Sequence, residues 1–344
     1  MVLKTHPHSA AKGIPIMIIG QYPTTRLRRL RQSPWIRDLV CENTLTPNDL
    51  ILPLFVREDY TDPFIPGMPG VQRLTLPELT EVVQAAHDCG IPFVGLFPTT
   101  PQDLRSSDGI EALNPANLIC RAVQAIKTLN LPIGVITDVA LDPYTDHGHD
   151  GILLNGVIDN DLTIEMLQRQ AHVQAAAGAD ILAPSDMMDG RIGAIRDYLD
   201  DNRHQSTLLM SYAVKFASSY YGPFRQAVGV QQLGGLSNKC TYQLNPANSQ
   251  EALREIDQDI QEGADMIIIK PGQPYLDIIR QAADRFEIPI FAYQVSGEYS
   301  AIKAAAQNGW IDGNGAMLES LIGFKRAGAS GIWTYAALEI AGMM

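Results

Sequence analysis

Cysteine is scarce in this sequence, and the few cysteines show no pairing pattern. Cys41, Cys89, Cys120 and Cys240 are far apart and form no C-x-x-C motif, so neither a disulfide framework nor a cysteine zinc site is indicated. Long apolar runs are also absent. The longest early run, residues 14–19, is much shorter than the roughly 18 residues that cross a bilayer. We therefore expect a cytoplasmic protein in a reducing environment, with no membrane partner.

Basic charge is in deficit, with 26 lysines and arginines against 38 acidic residues and a net charge of −12. Nucleic acid is not an expected partner, because binding it would require clustered basic side chains. Since 46% of the residues are hydrophobic and 19% are charged, the chain can bury a large core and is expected to be globular. Its 344 residues are compatible with two domains or with one α/β barrel.

The first part of the chain has no acidic residue before Asp38. We expect residues 1–38 to form an extended arm that docks on an acidic neighbouring subunit, and residues 39–344 to form the catalytic domain. An organelle transit peptide is an alternative, although the stretch has few serines, and a frayed basic tail is another. The basic residues of this stretch are Lys4, Lys12, Arg26, Arg28, Arg29, Arg31 and Arg37.

From about residue 50 onward, short apolar runs alternate with stretches of helical spacing. Each run is continuous, as expected for a strand buried on both faces, and glycines after the helical stretches are typical of helix C-caps. About eight such units predict a closed (β/α)₈ TIM barrel. A doubly wound open sheet is the alternative, but no Gly-x-Gly-x-x-Gly follows the first strand. The runs are residues 51–56, 93–97, 133–139, 181–183, 208–212, 266–269, 290–293 and 332–335, and the glycines are Gly90, Gly178, Gly263 and Gly328.

Polar residues lie at or near the carboxyl ends of several runs, where the active site of a TIM barrel is found. The most informative are Lys215 and Lys270, after the fifth and sixth runs. Adjacent strands lie about 5 Å apart, so the two ammonium groups would repel each other and lower each other's pKa. A neutral amine attacks a ketone to form a Schiff base, and we therefore predict carbonyl chemistry. The other polar residues at this rim are Asp138, Ser185, Ser296, Glu298 and Tyr335.

Two loops at this rim allow other interpretations. Residues 147–149, His-Gly-His, lie among carboxylates and superficially resemble a metal loop. Histidines in a glycine-containing loop often only cap backbone groups, however. Residues 186–191 read equally well as a helix N-cap with a salt-bridged arginine. Neither loop identifies a reaction by itself.

From about Arg26 to its end, the chain resembles the porphobilinogen synthases, also called 5-aminolevulinate dehydratases. Members of this family condense two 5-aminolevulinate molecules into a pyrrole, in tetrapyrrole biosynthesis. The resemblance implies a (β/α)₈ barrel with an N-terminal arm that wraps a neighbour, usually in an octamer. It is carried by the motifs at residues 53–56 (PLFV), 68–71 (MPGV), 138–151, 183–191 (APSDMMDGR), 221–225 (YGPFR) and 293–299 (YQVSGEY).

The resemblance also implies roles for individual residues. Lys270 matches the lysine that binds the first substrate, and Lys215 matches the lysine that binds the second. Ser296 and Tyr335 match the pair that holds the carboxylate of the first substrate. Each ketone would form an iminium, which allows proton loss from the neighbouring carbon before the two substrates join.

A second group of residues matches the pocket of the second substrate. Arg225 matches an arginine that binds its carboxylate, and Lys239 stands where many members have arginine and some have lysine. Gln243 matches a glutamine on a segment that covers the pocket. The remaining matches to groups lining the pocket are Asp138, Ser185, Tyr221 and Phe224.

One departure concerns the metal. Members that use catalytic zinc carry three cysteines after the third strand, and the corresponding residues here are Ala140, Asp142 and Asp150. Thiolates select zinc, whereas an alanine and two carboxylates do not, so no catalytic zinc is expected. The chain resembles the zinc-independent, magnesium-responsive members, in which Glu255 matches the carboxylate of an allosteric magnesium site.

Two other classes of protein remain as alternatives. A Schiff-base aldolase on the same fold would need one strand-end lysine, but neither a second lysine nor a pair of carboxylate-binding sites. A non-enzymatic assembly protein built from the barrel and its arm would turn over no amino ketone.

Overall fold

The computed structural model describes residues 20–229 and 238–344. The chain divides into two compact units, one ending at Glu42 and the other spanning Asn43–Met344, so the division falls after Glu42 rather than after residue 38. In the first unit, the described residues contain a 3₁₀ turn at Leu27–Arg31 and helix α1 at Pro34–Leu39. Most of its large apolar side chains are exposed, namely those of Tyr22, Leu27, Leu30, Trp35, Leu39 and Val40.

Eleven strands are found in the described residues of the second unit. The strands are β1 (Leu50–Val56), β2 (Arg73–Leu74), β3 (Phe93–Pro98), β4 (Gly134–Val139), β5 (Ile152–Leu154), β6 (Val157–Asp159), β7 (Ile181–Pro184), β8 (Leu208–Lys215), β9 (Met266–Lys270), β10 (Ile290–Gln294) and β11 (Gly331–Thr334).

Ten further helices accompany these strands in the described residues. They are α2 (Leu76–Asp88), α3 (Leu118–Thr128), α4 (Asn160–Ala177), α5 (Arg191–Asp201), α6 (Gly222–Ala227), α7 (Gln250–Gln261), α8 (Leu276–Arg285), α9 (Ser296–Gln307), α10 (Gly313–Ala327) and α11 (Ala337–Ala341). Short 3₁₀ turns occur at Pro47–Asp49, Gln102–Leu104, Ile110–Leu113, Ser219–Tyr221 and Gln273–Tyr275.

The sheet closes on itself and forms a barrel of eight parallel strands. The order is β1, β3, β4, β7, β8, β9, β10 and β11, and β11 pairs back onto β1. The two-residue strand β2 pairs with the carboxyl end of β1, and β5 and β6 form a separate antiparallel hairpin. The predicted TIM barrel is therefore confirmed, and the open doubly wound sheet is wrong.

The local signals that predicted these elements are also found in the structure. Each of the eight apolar runs became a barrel strand, and the glycines after the helices have positive φ, as at Gly178 (φ 107°) and Gly328 (φ 109°). One boundary differs, because β8 continues through Lys215 instead of ending near Tyr212. The pairing of β8 with β9 shifts register between Ser211 and Val214, and this irregularity places Lys215 opposite Lys270.

One close contact in the barrel joins strands β11 and β3. Trp333 on β11 is 1% exposed, and it lies over Gly95 of β3. A Cβ atom at Gly95 would lie 2.0 Å from Cζ3 of Trp333, so glycine is needed for this close approach. Among the described residues, no helix is long and apolar enough to cross a membrane.

Candidate active site

A cavity lies at the carboxyl end of the barrel strands, as expected for this fold. Its volume is about 30 Å³, which is room for roughly two water molecules. The cavity brings together nine of the eleven predicted catalytic and substrate-binding residues, together with Asp142 and Val228, which sequence reasoning had not assigned to the pocket. The lining residues are Asp138, Asp142, Ser185, Lys215, Tyr221, Phe224, Arg225, Val228, Lys239, Gln243 and Lys270.

Lys270 ends strand β9 in the most apolar part of the cavity, where it is 5% exposed. Burial is the largest influence on its ammonium group and the charge of Lys215 is the next, and together they lower the pKa of Lys270 to about 7. The described part of the chain offers Nζ of Lys270 no carboxylate within 4.0 Å. The amine is thus neutral in about half of the molecules at pH 7, against about one in 2,500 for an ordinary lysine.

Aromatic rings surround the end of the Lys270 side chain. Nζ lies 4.6 Å from the ring centroid of Tyr293, 4.9 Å from Phe224, 5.0 Å from Tyr212 and 5.6 Å from Tyr221. These rings remove water from the amine, and their faces also attract a cation. The site therefore tolerates both a neutral amine and a positively charged iminium at the same nitrogen.

Lys215 is the partner of Lys270 in the pairing of β8 with β9, but its surroundings differ. Its ammonium group donates to Oδ1 of Asp150 at 2.9 Å and to the backbone oxygen of Ser185. Asp150 is fully buried. Burial alone would raise the pKa of Asp150, but the ammonium groups of Lys215 and Lys239 outweigh burial and hold this pKa well below its usual range. The two neighbouring lysines thus differ: Lys215 has a carboxylate partner, and Lys270 has aromatic rings.

Lys239 contacts the other oxygen of the same carboxylate. Its Nζ lies 2.6 Å from Oδ2 of Asp150 and 3.3 Å from Oδ2 of Asp142. Burial alone would lower the pKa of Lys239, but the two carboxylates outweigh burial and raise it above the ordinary value. Gln243 lies one helical turn further along the same segment, and its backbone N–H donates to the oxygen of Lys239 at 3.0 Å.

Asp138 and Ser185 line the cavity together with the two lysines. Burial and then the charge of Asp142 raise the pKa of Asp138 to about 7, although the ammonium groups of Lys215 and Lys270 and a hydrogen bond from Ser185 oppose this. Within the described residues, Oδ1 of Asp138 has no hydrogen-bond partner. A carboxyl group that titrates near neutral pH is suited to general acid and base chemistry.

Helix α6 and the residue before it bring Phe224, Arg225 and Tyr221 to the cavity. Tyr221 lies at the position before the helix, and its hydroxyl donates to the backbone oxygen of Lys270 at 3.3 Å. The buried Arg73 and the half-buried Arg105 hold the other end of the helix. Arg73 donates to the oxygens of residues 226 and 227, and Arg105 donates to those of residues 228 and 229.

Ser296 and Tyr335 lie behind the lining of the cavity. Oγ of Ser296 accepts from the backbone N–H of Phe224 at 3.0 Å. The ring of Tyr335 stacks on Phe55 at 5.7 Å, and its hydroxyl lies 3.2 Å from that of Tyr293. Each residue thus contacts a neighbour of Lys270: Ser296 contacts Phe224, and Tyr335 contacts Tyr293.

Glu298 joins the segment after Lys270 to the helix that begins at Ser296. Its buried carboxylate accepts backbone N–H groups of Gly272, Gln273 and Val295 at 3.4, 2.5 and 2.6 Å. Burial raises the pKa of Glu298 to about 7 against these hydrogen bonds. Glu298 thus orders the rim without contacting the cavity.

Glu255 lies outside the cavity, on helix α7, in an acidic groove of about 650 Å³. Burial raises the pKa of Glu255, while Arg191 opposes this. Arg191 is itself buried, and it pairs with Asp259 at 3.0 Å and with Asp186 at 3.6 Å. The described residues contain no group of three or more His, Cys, Asp or Glu that could hold a metal ion. The acidic side chains of the groove are Asp189, Glu251, Glu255, Asp257, Asp259 and Glu262.

The imidazole rings of His147 and His149 both hydrogen-bond to neighbouring groups of the protein. Nε2 of His147 lies 3.3 Å from the oxygen of Ser107, and Nδ1 of His147 accepts from the N–H of His149. Nδ1 of His149 lies 3.0 Å from the hydroxyl of Tyr242. These contacts favour the backbone-capping interpretation over the metal loop.

Sequence reasoning missed three kinds of contact at this site. It treated Asp142 and Asp150 only as replacements for zinc ligands, it did not consider Tyr242, and it did not assign Tyr212 and Tyr293 to Lys270. The position of Tyr293 in an apolar run was a usable signal, because a strand residue at the barrel rim can face inward. The pairing of Asp150 with two lysines has no local signal.

The barrel and the paired lysines define a class of protein: an α/β-barrel enzyme with two buried lysines at the carboxyl ends of its strands. The family model described as delta-aminolevulinic acid dehydratase matches residues 24–343. The chain belongs to this family, the porphobilinogen synthases. It is accordingly a lyase that condenses two 5-aminolevulinate molecules to porphobilinogen in tetrapyrrole biosynthesis.

Individual relatives agree with this assignment. The delta-aminolevulinic acid dehydratase of Bradyrhizobium diazoefficiens is 53% identical over 318 residues, 92% of this chain and 90% of the relative. That of Rhodobacter capsulatus is 47% identical and covers 93% of this chain and 97% of its own. The crystal structure of the Toxoplasma gondii enzyme, in complex with the reaction product porphobilinogen, has a TM-score of 0.91 and 45% identity, covering 93% of this chain and 91% of its own.

Proposed function

We propose that the condensation proceeds through Schiff bases on both lysines, with the first substrate on Lys270 and the second on Lys215. The observation that carries this proposal is the lowered pKa of Lys270, about 7, beside a second lysine in register. A pKa lowered by about 3.5 units corresponds to about 5 kcal/mol against the charged form. That cost makes the free amine available at the pH where the substrate must be attacked.

The chemical steps use groups at the cavity. The neutral nitrogen of Lys270 adds to the ketone carbon, and the ketone oxygen leaves as water after it has received two protons. The resulting iminium withdraws electrons, so the neighbouring carbon can lose a proton. Asp138, with its pKa of about 7, is placed to take up and return protons. Two substrates held side by side need no further encounter, and this proximity supplies much of the rate.

The substrate carboxylates are assigned to the edges of the cavity. Arg225 and Lys239 bind that of the second substrate, and Ser296 and Tyr335 bind that of the first. The cavity of about 30 Å³ is too small for either substrate. Binding therefore requires Lys239 to exchange a protein carboxylate for the substrate's, and Ser296 and Tyr335 to become accessible.

We also propose that the reaction needs no zinc. Ala140 offers no ligand atom, and the oxygens of Asp142 and Asp150 are already bound by ammonium groups. Hard carboxylates do not select zinc in the way that thiolates do. The expected result is full activity with far less than one zinc per subunit, measured by metal analysis of active enzyme. Stoichiometric zinc whose removal abolishes turnover would contradict this.

Magnesium is proposed to act away from the cavity, at Glu255. The groove around Glu255 offers carboxylate oxygens and space for water molecules, which suits an ion that keeps most of its hydration shell. The ion would supply positive charge among the acidic side chains of the groove. It would thereby stabilise the assembly rather than the reacting atoms.

The assembly is proposed to be an octamer formed through the N-terminal arm. The first unit carries basic side chains and exposed apolar ones, so an acidic surface of a neighbouring copy is a suitable partner. Removal of residues 1–31 should give smaller oligomers with weak activity, and Glu255→Ala should blunt stimulation by magnesium. Sedimentation velocity beside the activity assay tests both. An active truncated protein of unchanged size would contradict the role of the arm, and a wild-type magnesium response in Glu255→Ala would contradict that of Glu255.

The proposed location of the protein is the cytoplasm.

The Schiff-base proposal is tested by reduction with borohydride in the presence of 5-aminolevulinate. Peptide mass mapping should find the adduct on Lys270 in the wild type, and Lys270→Ala should lose activity. Lys325→Ala is a control for the loss of a lysine, because Lys325 pairs with Asp49 away from the cavity. An adduct found elsewhere, with Lys270 unmodified, would contradict the assignment.

A further inference from the structure

Residues 238–244, here called the cover segment, lie over the cavity and supply Lys239 and Gln243 to its lining. At its end the segment is paired to β8: the N–H of Leu244 donates to the oxygen of Lys215 at 3.0 Å, and the N–H of Ala217 donates to the oxygen of Leu244 at 2.8 Å. These backbone bonds fix only one end. The ring of Tyr242 packs against the hydrophobic core, and side chains on the loop after β4 supply polar contacts to the rest of the segment.

Tyr242 provides one of those side-chain contacts. Its hydroxyl lies 2.8 Å from Oδ2 of Asp150, 3.0 Å from Nδ1 of His149 and 3.4 Å from the backbone N–H of Asp150. The phenol has one hydrogen, and the carboxylate is the stronger acceptor, so the phenol donates to Asp150. Its oxygen then accepts from the N–H of Asp150 and from a proton on Nδ1 of His149. Every hydrogen-bonding position of the hydroxyl is used.

The pKa of Tyr242 supports the neutral phenol. Burial is the largest influence and the charge of Asp150 the next, and they raise this pKa well above its ordinary value. The hydroxyl therefore stays protonated, and its bond to Asp150 does not depend on pH in the working range of an enzyme.

Asp150 has two other partners, and the reaction uses both. When Lys215 forms an iminium it keeps one of its three N–H groups, so it cannot hold both Asp150 and the backbone oxygen of Ser185. Lys239 must turn towards the substrate's carboxylate. Among the described contacts between Asp150 and side chains, only that with Tyr242 involves a group that has no proposed role in chemistry or substrate binding.

We propose that Tyr242 is a positioning residue that keeps the cover segment on Asp150 while Lys215 and Lys239 exchange their partners. His149 orients the phenol for this contact. The inference rests on the proposed roles of Lys215 and Lys239. It adds that the segment stays ordered because of a neutral hydrogen bond rather than because of the ion pairs.

The test compares Tyr242→Phe with Tyr144→Phe. Tyr144 lies in the loop after β4 and is buried, but its hydroxyl has no hydrogen-bond partner among the described residues, so the control removes the same atom without removing a contact. A hydrogen bond to a carboxylate is worth enough to change an opening equilibrium about tenfold. In Tyr242→Phe, amides of residues 242–244 should exchange hydrogen about tenfold faster than in the control. KM for 5-aminolevulinate should rise about tenfold, with kcat changed less than about twofold.

Two results would overturn the proposal: exchange in the cover segment equal to that of Tyr144→Phe, or faster exchange with an unchanged KM. If Tyr242→Phe loosens the whole barrel, His149→Leu decides, because it removes the orienting donor and leaves the hydroxyl of Tyr242 free to donate to Asp150. It should change both readouts in the same direction by about threefold, and no change would refute the proposal. Borohydride trapping on Lys270 of wild type is a separate measurement, so a failure of the Schiff-base assignment is distinguishable from a failure of this one.

Discussion

Replacing Lys215 by methionine removes the positive charge that lies opposite Lys270 in the pairing of β8 with β9. Methionine is unbranched and only one atom shorter than lysine, so the principal change is electrostatic. Burial remains the larger cause of the lowered pKa of Lys270. The pKa of Lys270 should therefore rise, while staying below that of an ordinary lysine.

The size of the shift follows from Coulomb's law and the partners of Lys215. Two charges about 6 Å apart interact by about 3 kcal/mol at an effective dielectric constant of about 20, which is about two pKa units. Asp150, whose Oδ1 lies 2.9 Å from Nζ of Lys215, remains in the variant and keeps Lys239 as a partner, so the whole interaction with Lys215 is lost. We therefore expect a rise of about two units, from about 7 to about 9, so the neutral fraction at pH 7 falls from about one half to about one hundredth.

The assay measures the rate of trace reductive methylation of Lys270 by formaldehyde and cyanoborohydride. The reagents are small, and only neutral amine reacts. Mass spectrometry of the Lys270 peptide gives a rate at each pH, and its midpoint is the pKa. Lys325→Met serves as the control, because Lys325 pairs with Asp49 elsewhere. A midpoint that is unchanged, or lower, in Lys215→Met would refute the reasoning that the neighbouring ammonium group tunes Lys270.

Three further predictions concern stability, measured by urea denaturation. The pKa of Lys270 is lower in the folded protein than in the unfolded chain, so the unfolded chain binds more protons between about pH 7 and pH 10.4. Burying the ammonium group therefore destabilises the folded protein fully below about pH 7 and not at all above about pH 10.4. The free energy of unfolding of Lys270→Met should thus exceed that of the wild type by up to about 5 kcal/mol at pH 6, and this difference should disappear by about pH 10.5. Equal differences at both pH values would contradict a destabilised ammonium group. Asp150→Asn should lower the free energy of unfolding by about 3 kcal/mol, because two buried ammonium groups lose their shared acceptor. The control Asp284→Asn, at an exposed ion pair, should lower it by less than about 1 kcal/mol. Similar losses would show that the buried pairs matter no more than the exposed one. Gly95→Ala should cost about 3 kcal/mol because its Cβ would overlap Trp333, with Gly222→Ala, which meets nothing within 4 Å, as the control; a Gly95→Ala protein as stable as this control would contradict the close approach.

The barrel could be predicted because its signals are local. Each buried parallel strand needs a short apolar run, each helix end needs a residue that tolerates positive φ, and both are visible within a few residues of sequence. A closed parallel barrel then brings the residues at its strand ends to one rim, so the meeting of Lys215, Lys270 and Asp138 followed from the order of elements alone. The end of β8 was misjudged because the irregularity at Ser211 and Val214 depends on the neighbouring strand.

The family, its activity and the matching of site residues came from long motifs rather than from physical patterns. The clusters at residues 183–191 and 221–225 are specific as sequences, but the spacing of the first cluster alone did not distinguish a catalytic loop from a helix cap. In the structure, Arg191 of the first cluster is indeed held by buried carboxylates, at Asp259 and Asp186.

Only the tertiary structure decided which charges meet. Asp150 lies 65 residues from Lys215 and 92 from Tyr242, and no local pattern records a pairing over that distance. The difference between the two lysines has the same origin, because a pKa depends on what surrounds the group: rings that exclude water around Lys270, and a carboxylate beside Lys215. The sequence by itself thus determined the barrel and the rim at which its polar residues gather. The charge state of those residues was decided by contacts between distant segments, since burial and electrostatic interaction depend on distance in space rather than on distance along the chain.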